Sequence, residues 1–219
     1  MRDSRPSKHD ARRATFPPVS IRVVLFDLMD TVLRDPYREA IRAATGLEPA
    51  EAFRHNDKRC WPEFEIGAID EATFARRYFA GAPHLRFDLE AFHRARREGY
   101  AFLPGMRAMI EGLRGRVARH VASNYPIWIE EVGAAFELDA LFEGVHASCH
   151  IGVRKPDPAF YARVLERVGA AAGECLFVDD RRVNCEAAER AGMASHLFDG
   201  ADGLAERLRA ERILPFPGP

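Results

Sequence analysis

Residues 21–33 read Ile21-Arg22-Val23-Val24-Leu25-Phe26-Asp27-Leu28-Met29-Asp30-Thr31-Val32-Leu33. Val23 to Phe26 is an unbroken apolar run, short and partly β-branched, which predicts a strand buried on both faces. It stops at Asp27, with a second acid, Asp30, a little further on. In an open α/β sheet, chemistry lies just beyond the carboxyl ends of the strands. Asp27 therefore stands where a nucleophile or a metal ligand would. An aspartate there also ends a strand in an Asx-turn, and the rest of the sequence has to decide between the two.

After this strand, Asp35-Pro36 reads as the N-cap and first-turn proline of a helix. Tyr37, Ala40, Ile41 and Ala44 keep the helical spacing, and Gly46 closes it. Helical runs follow over Pro49–Asp57, Asp70–Phe79 and Asp88–Arg97, whereas Cys60-Trp61-Pro62-Glu63-Phe64 breaks the spacing and is expected as a loop. No strand is expected between Pro36 and Gly99. Residues 35–99 thus form an all-helical insertion on a core made of residues 20–34 and 100–219. About 65 residues make a core too small to stand without packing on the rest.

From Leu103 the pattern alternates. Strands are expected at Val117–Ala122, near Val145, at Cys175–Val178 and at Ser195–Phe198. Helices are expected around Met106–Leu113, Ile127–Phe136, Pro158–Val168, the stretch ending at Ala191, and Gly203–Arg209. That order predicts an α/β fold, a parallel sheet with helices on both faces.

Residues 1–19, with Arg2, Arg5, Lys8, Arg12 and Arg13, read as a flexible basic tail. The 219 residues are 47% apolar and 30% charged, with a net charge of −1. Such a balance gives no reason to expect nucleic acid or an anionic membrane as partner. No apolar run is long enough for a membrane span or a signal peptide. Cys60, Cys149, Cys175 and Cys185 lack the spacing of a disulfide framework and read as reduced thiols of a cytoplasmic protein, either a monomer or a homodimer.

Four polar clusters fall at predicted strand ends: Asp27 with Asp30, Ser123 with Asn124, Lys155, and Asp179 with Asp180. Each alone is explained by a cap or a solvated loop; together, on one side of a parallel sheet, they define a cleft. Two carboxylates about 4 Å apart repel by about 4 kcal/mol at an effective dielectric near 20. Convergence of Asp27, Asp179 and Asp180 therefore calls for a cation, and an all-oxygen ligand set points to Mg²⁺. With Mg²⁺ and Lys155 in place, a phosphate dianion is attracted rather than repelled, and phosphoryl transfer to a carboxylate becomes feasible.

The order Asp-x-x-x-Thr (27–31), Ser123, Lys155-Pro156-Asp157-Pro158 and Asp179-Asp180 resembles the haloacid dehalogenase superfamily of hydrolases with an inserted helical cap. Within it, residues 26–36, 123–128 and 154–158 look like the plant chloroplast flavin mononucleotide (FMN) hydrolases and their bacterial relatives. The resemblance implies a Rossmann-like core and hydrolysis of a small phosphate monoester through an aspartyl-phosphate on Asp27. It also implies Ser123 as a phosphate ligand, Lys155 as the link between nucleophile and phosphate, and Mg²⁺ held by Asp27, Asp179, Asp180 and the backbone carbonyl oxygen of Met29. Met29 occupies the position of the family's second aspartate, the usual general acid/base, and cannot move a proton. Three readings follow: Asp30 or an ordered water replaces that carboxylate; the chemistry is metal-free attack on carbon, as in the dehalogenases; or the protein binds a phosphorylated ligand without turning it over. Retention of Asp179 and Asp180 favours the first over the second.

Thr31, Asn124, Trp61 and Tyr125 are candidates for contacts with the rest of the substrate, and Trp128 is expected to face the same cleft. Aromatic rings there suit a flat, partly polar group such as isoalloxazine. The other aromatics of residues 35–99 are expected to form that segment's own core. His146, Cys149 and His150 resemble half a zinc site, but no second Cys/His pair has the spacing to complete it. A non-enzymatic scaffold is the remaining alternative.

Overall fold

The computed structural model describes residues 20–215; the basic stretch 1–19 lies outside them. The strands are β1 (Val23–Phe26), β2 (Ala118–Ser123), β3 (Gly144–Ala147), β4 (Cys175–Asp179) and β5 (Ala194–Leu197). They form one parallel sheet in the order β3-β2-β1-β4-β5. Phe26 pairs in register with Val121 and Val178, so the carboxyl ends of β1, β2 and β4 stand side by side.

Between β1 and β2 lie α1 (Tyr37–Thr45), α2 (Pro49–His55), α3 (Cys60–Glu65), α4 (Glu71–Arg77), α5 (Leu89–Gly99) and α6 (Met106–Gly112). After β2 come α7 (Ile129–Ala135) and α8 (Leu138–Leu141), and after β3 α9 (Ser148–Ile151) and α10 (Pro158–Val168). α11 (Arg182–Arg190) follows β4, and α12 (Ala201–Ala210) follows β5.

Alternation along β1 divides its residues between two apolar layers, as a strand period of two requires. Val24 and Phe26 pack with Val121, Leu176 and Val178, beneath Met106 and Ile110 of α6 and Leu204 and Leu208 of α12. Val23 and Leu25 pack on the other side with Phe177, Phe160, Val164 and Ala188, from β4, α10 and α11. The continuous apolar run in the sequence is thus explained by cover on both faces.

Two adjacent passages join α1–α5 to the sheet. Arg34 donates its N–H to Ala101 O (2.8 Å) and Leu103 to Val32 O (2.9 Å), so the outgoing and returning passages pair. The segment's core is aromatic: Phe74 is fully buried, stacks on Phe64 (centroids 5.0 Å) and meets Phe87 and Tyr78 edge-on. This cluster joins the layer above the sheet through Trp128, which packs against Phe64, Phe74 and Phe92.

Three sequence expectations are corrected here. Cys60 to Phe64 is not a loop but most of helix α3; Pro62 sits in its first turn, where a missing N–H has no intrahelical partner to lose. Trp128 does not face the cleft. It is buried where α7 begins, with the Arg96 guanidinium 4.6 Å above its ring and its indole N–H donating to Glu71. Asp35 is not the N-cap of α1: Pro36 takes that position, and the Asp35 side chain bends back to accept the Tyr37 N–H at 2.9 Å.

Candidate active site

Asp27 follows β1 directly, and its N–H still pairs with Val178 O at 2.8 Å, so the sheet sets its direction. Its Oδ1 accepts the Leu28 N–H (2.8 Å) and lies 2.9 Å from Lys155 Nζ. The backbone then curls tightly. The N–H groups of Val32 and Leu33 both donate to Leu28 O, Asp30 donates to Leu33 O, and Asp30 takes a left-handed φ of 56°. Short polar residues tolerate that conformation better than most. Asp30 Oδ1 in turn accepts the Asp35 N–H at 3.0 Å.

Lys155 is buried, and its ammonium bridges three acceptors: Asp27 Oδ1 (2.9 Å), Asp179 Oδ2 (2.6 Å) and Ala122 O (2.9 Å). Asn124 holds the lysine's backbone reciprocally, donating to Lys155 O at 2.9 Å and accepting the Lys155 N–H at 2.7 Å. Asp179, fully buried at the end of β4, also accepts from Asn184 Nδ2 (2.9 and 3.1 Å) and the Arg181 N–H (2.9 Å).

One oxygen each from Asp27, Asp179 and Asp180 lies within 4.8 Å of the others. Burial raises the Asp27 carboxyl above its usual value; Lys155 opposes this and Asp179 adds to it. Burial, then Asp27, Asp179 and Asp30, push Asp180 up to about 7. Lys155 is held above its usual value, because Asp27 and Asp179 outweigh the opposing effect of burial. Three carboxylates against one ammonium leave a surplus of negative charge among hard oxygen donors. The residues fit Mg²⁺.

A cavity of about 260 Å³ opens above this cluster. Asp27, Met29, Asp30, Ser123, Asn124, Lys155 and Asp180 line it, together with the aromatic rings of Trp61 and Tyr125. Nine of the residues expected from sequence thus meet in one space, with Asp179 buried behind Lys155. Thr31 does not reach it; it is fully buried, and its Oγ1 has no hydrogen-bond partner among the described residues. Nor do His146, Cys149 and His150 converge: His146 Nε2 lies 3.3 Å from His120 Nδ1, while His150 faces Glu130.

Asp35, Tyr37, Glu65, Arg154, Arg181 and Asn184 also line the cavity and were not assigned from sequence. Arg154 and Arg181 flank residues that were, and proximity to Lys155 and Asp180 was the only available signal. Glu65, at the end of α3, is buried with Arg154 Nε 2.8 Å from Oε2, and burial pushes its carboxyl up to about 7. Ser148 Oγ donates to Glu65 O at 2.5 Å, a second tie between α3 and the sheet's carboxyl edge.

A strand-end carboxylate, a buried lysine bridging it to a second acidic strand end, and a cavity above them form an arrangement suited to a hydrolase. The protein belongs to the haloacid dehalogenase-like hydrolases, whose family pattern matches residues 21–192. It is 36% identical over 187 residues to the chloroplast flavin mononucleotide hydrolase 1 of Arabidopsis thaliana, spanning 85% of this sequence and 76% of that protein. A HAD-like family hydrolase of Porphyromonas gingivalis superposes with a TM-score of 0.73 at 22% identity, over 87% of this protein and 98% of that one. A HAD family enzyme of Bacteroides thetaiotaomicron, solved with magnesium and inorganic phosphate, gives 0.67 at 18% identity, over 83% and 96%. These two share the fold. Among the described residues no helix is long and apolar enough to cross a membrane.

Proposed function

We propose that the protein is a Mg²⁺-dependent phosphatase that hydrolyses a small phosphate monoester through an aspartyl-phosphate on Asp27. The observation that carries this reading is the buried Lys155 ammonium bridging Asp27 and Asp179 beside the cavity. Asp27 Oδ1 is occupied by Leu28 N–H and Lys155, which leaves Oδ2 as the attacking oxygen. Lys155 draws the phosphate toward the nucleophile, and the Ser123 hydroxyl, buried at the end of β2, holds a second phosphate oxygen. Asn124 acts through Lys155 by fixing its backbone. Asp27, Asp179, Asp180 and the Met29 C=O would hold Mg²⁺, which supplies charge neutralisation for the incoming phosphate. A metal-free attack on carbon would leave Asp180 without a task.

FMN is the substrate we favour, on the likeness to the Arabidopsis FMN hydrolase and on Tyr37, Trp61 and Tyr125 lining the cavity. Residues 35–99 act as the cap that selects it. Four free cysteines suit a reducing cytoplasm.

Phosphate release from 4-nitrophenyl phosphate, FMN and a sugar phosphate tests the reading, with Mg²⁺ or EDTA. Release by wild type with Mg²⁺, and a loss of at least about 10³-fold in Asp27→Asn, is expected from removal of the nucleophile. Equal activity in Asp27→Asn would end the phosphatase reading. FMN turned over no better than the sugar phosphate would end only the choice of substrate.

A further inference from the structure

Met29 places a thioether where the reaction needs a group that moves a proton, and an alkoxide is a poor leaving group without one. Asp35 reaches the same cavity from the turn that follows. It is held at two points: its N–H donates to Asp30 Oδ1 (3.0 Å), and its Oδ1 accepts the Tyr37 N–H (2.9 Å). Its Oδ2 has no hydrogen-bond partner among the described residues.

The charged groups facing Asp35 are the carboxylates of Asp30, Asp27 and Glu39, and the phenols of Tyr100 and Tyr125 stand near it. Among the described residues no cation pairs with it: Arg34, its neighbour in sequence, donates to Glu39 and to Gly99 O. Burial above all, opposed by the Tyr37 N–H and aided by Asp30, Asp27 and Glu39, pushes its carboxyl up to about 6. A carboxyl withdrawn from water among anions keeps its proton into the range where enzymes work. Glu65, the other cavity acid from the helical segment, is instead committed to a cation, with Arg154 Nε 2.8 Å from its Oε2. Asp30 has one oxygen committed to the Asp35 backbone.

We propose that Asp35 is the catalytic acid and base, and that Asp30 is the positioning residue that aims it into the cavity. The proposal rests on the phosphatase reading. In the first step Asp27 Oδ2 bonds to phosphorus as the bond from phosphorus to the ester oxygen breaks. The Asp35 proton passes to that oxygen, releasing the alcohol. In the second step the Asp35 carboxylate takes a proton from water as the water oxygen bonds to phosphorus and the Asp27–phosphorus bond breaks. Inorganic phosphate leaves, and Asp35 is protonated again.

The test compares two leaving groups in Asp35→Asn, Asp35→Glu, Asp30→Asn and wild type, with melting temperatures read alongside. 4-Nitrophenolate leaves without a proton, whereas the alcohols of FMN and glycerol phosphate need one. Asp35→Asn is expected to lose about 10²–10³-fold in kcat/KM on the alkyl esters. On 4-nitrophenyl phosphate it is expected to release about one equivalent of nitrophenolate rapidly and then stall, because the second step lacks its base. Asp35→Glu should recover part of the alkyl-ester rate, and Asp30→Asn, whose amide oxygen still accepts the Asp35 N–H, should keep most of the activity on both ester types without a burst. If Asp35→Asn does not fold, wild type and Asp35→Glu carry the test. Wild-type kcat/KM must then fall with rising pH on the alkyl esters and not on the nitrophenyl ester. Equal losses of kcat/KM on both ester types, or the burst appearing in Asp30→Asn instead, would overturn the proposal. Wild type inactive on every ester, or Asp27→Asn fully active, would remove the reaction itself and is distinguishable from either outcome.

Discussion

Replacing Lys155 by Met removes the ammonium between Asp27 and Asp179 and keeps a stem of similar length against Phe177, whose ring centre lies 5.3 Å from Nζ. The two carboxylates approach within 4.8 Å, and at an effective dielectric near 20 their repulsion is about 3.5 kcal/mol. That agrees with the usual cost of removing one partner of a buried ion pair, about 3–5 kcal/mol. Protonating one carboxyl is the escape, at about 1.4 kcal/mol for each pH unit above its ordinary value of 3.8. At pH 7.5 that costs about 5 kcal/mol, more than the repulsion it relieves; at pH 4.5 it costs about 1 kcal/mol. Lys155→Met is therefore expected to lose about 3.5 kcal/mol at pH 7.5 and only about 1 kcal/mol at pH 4.5, relative to wild type. For a domain of this size the first figure corresponds to about 7–14 °C in Tm. Thermal melts of both proteins at the two pH values, in EDTA, measure it. Adding Mg²⁺ at pH 7.5 should recover part of the loss by returning positive charge to the acids. An unchanged Tm, or the same loss at both pH values, would refute the claim that this lysine holds together two ionised carboxylates.

Two further predictions concern the segment above the sheet. Burial pushes Glu65 up to about 7 from an ordinary 4.5, so the folded protein retains a proton that the unfolded one releases between those values. Stability then falls as pH rises through that window, by about 3 kcal/mol in all, and Glu65→Gln should flatten the fall in urea melts at pH 5 and 7.5; parallel pH dependences would exclude this account. Phe74→Ala should cost about 3–5 kcal/mol, since this fully buried ring touches Trp61, Phe64, Tyr78, Phe87 and Trp128. Chemical denaturation giving a loss below about 1 kcal/mol would show that the aromatic cluster does not anchor the segment to the sheet.

The apolar run Val23–Phe26, the recurrence of polar residues at strand ends and the alternation of elements after Leu103 were enough to determine a parallel sheet. They also placed Asp27, Ser123, Lys155 and Asp180 on one edge of it. Those features are local: an apolar period reports which face is covered, and the end of a buried strand marks where polar atoms first become usable. Tertiary structure alone decided the rest. Trp61 and Trp128 have similar sequence credentials, yet one lines the cavity and the other is sealed under Arg96. Asp35, Glu65 and Arg154 come from turns, a short helix and a loop, where side-chain direction has no period to betray it. Asn124 and Asn184, one fixing the Lys155 backbone and the other the Asp179 carboxylate, show the same limit. Pattern in the sequence tells which residues leave water, but which polar groups then meet depends on how separate elements dock, and docking is settled by packing between residues far apart in the sequence.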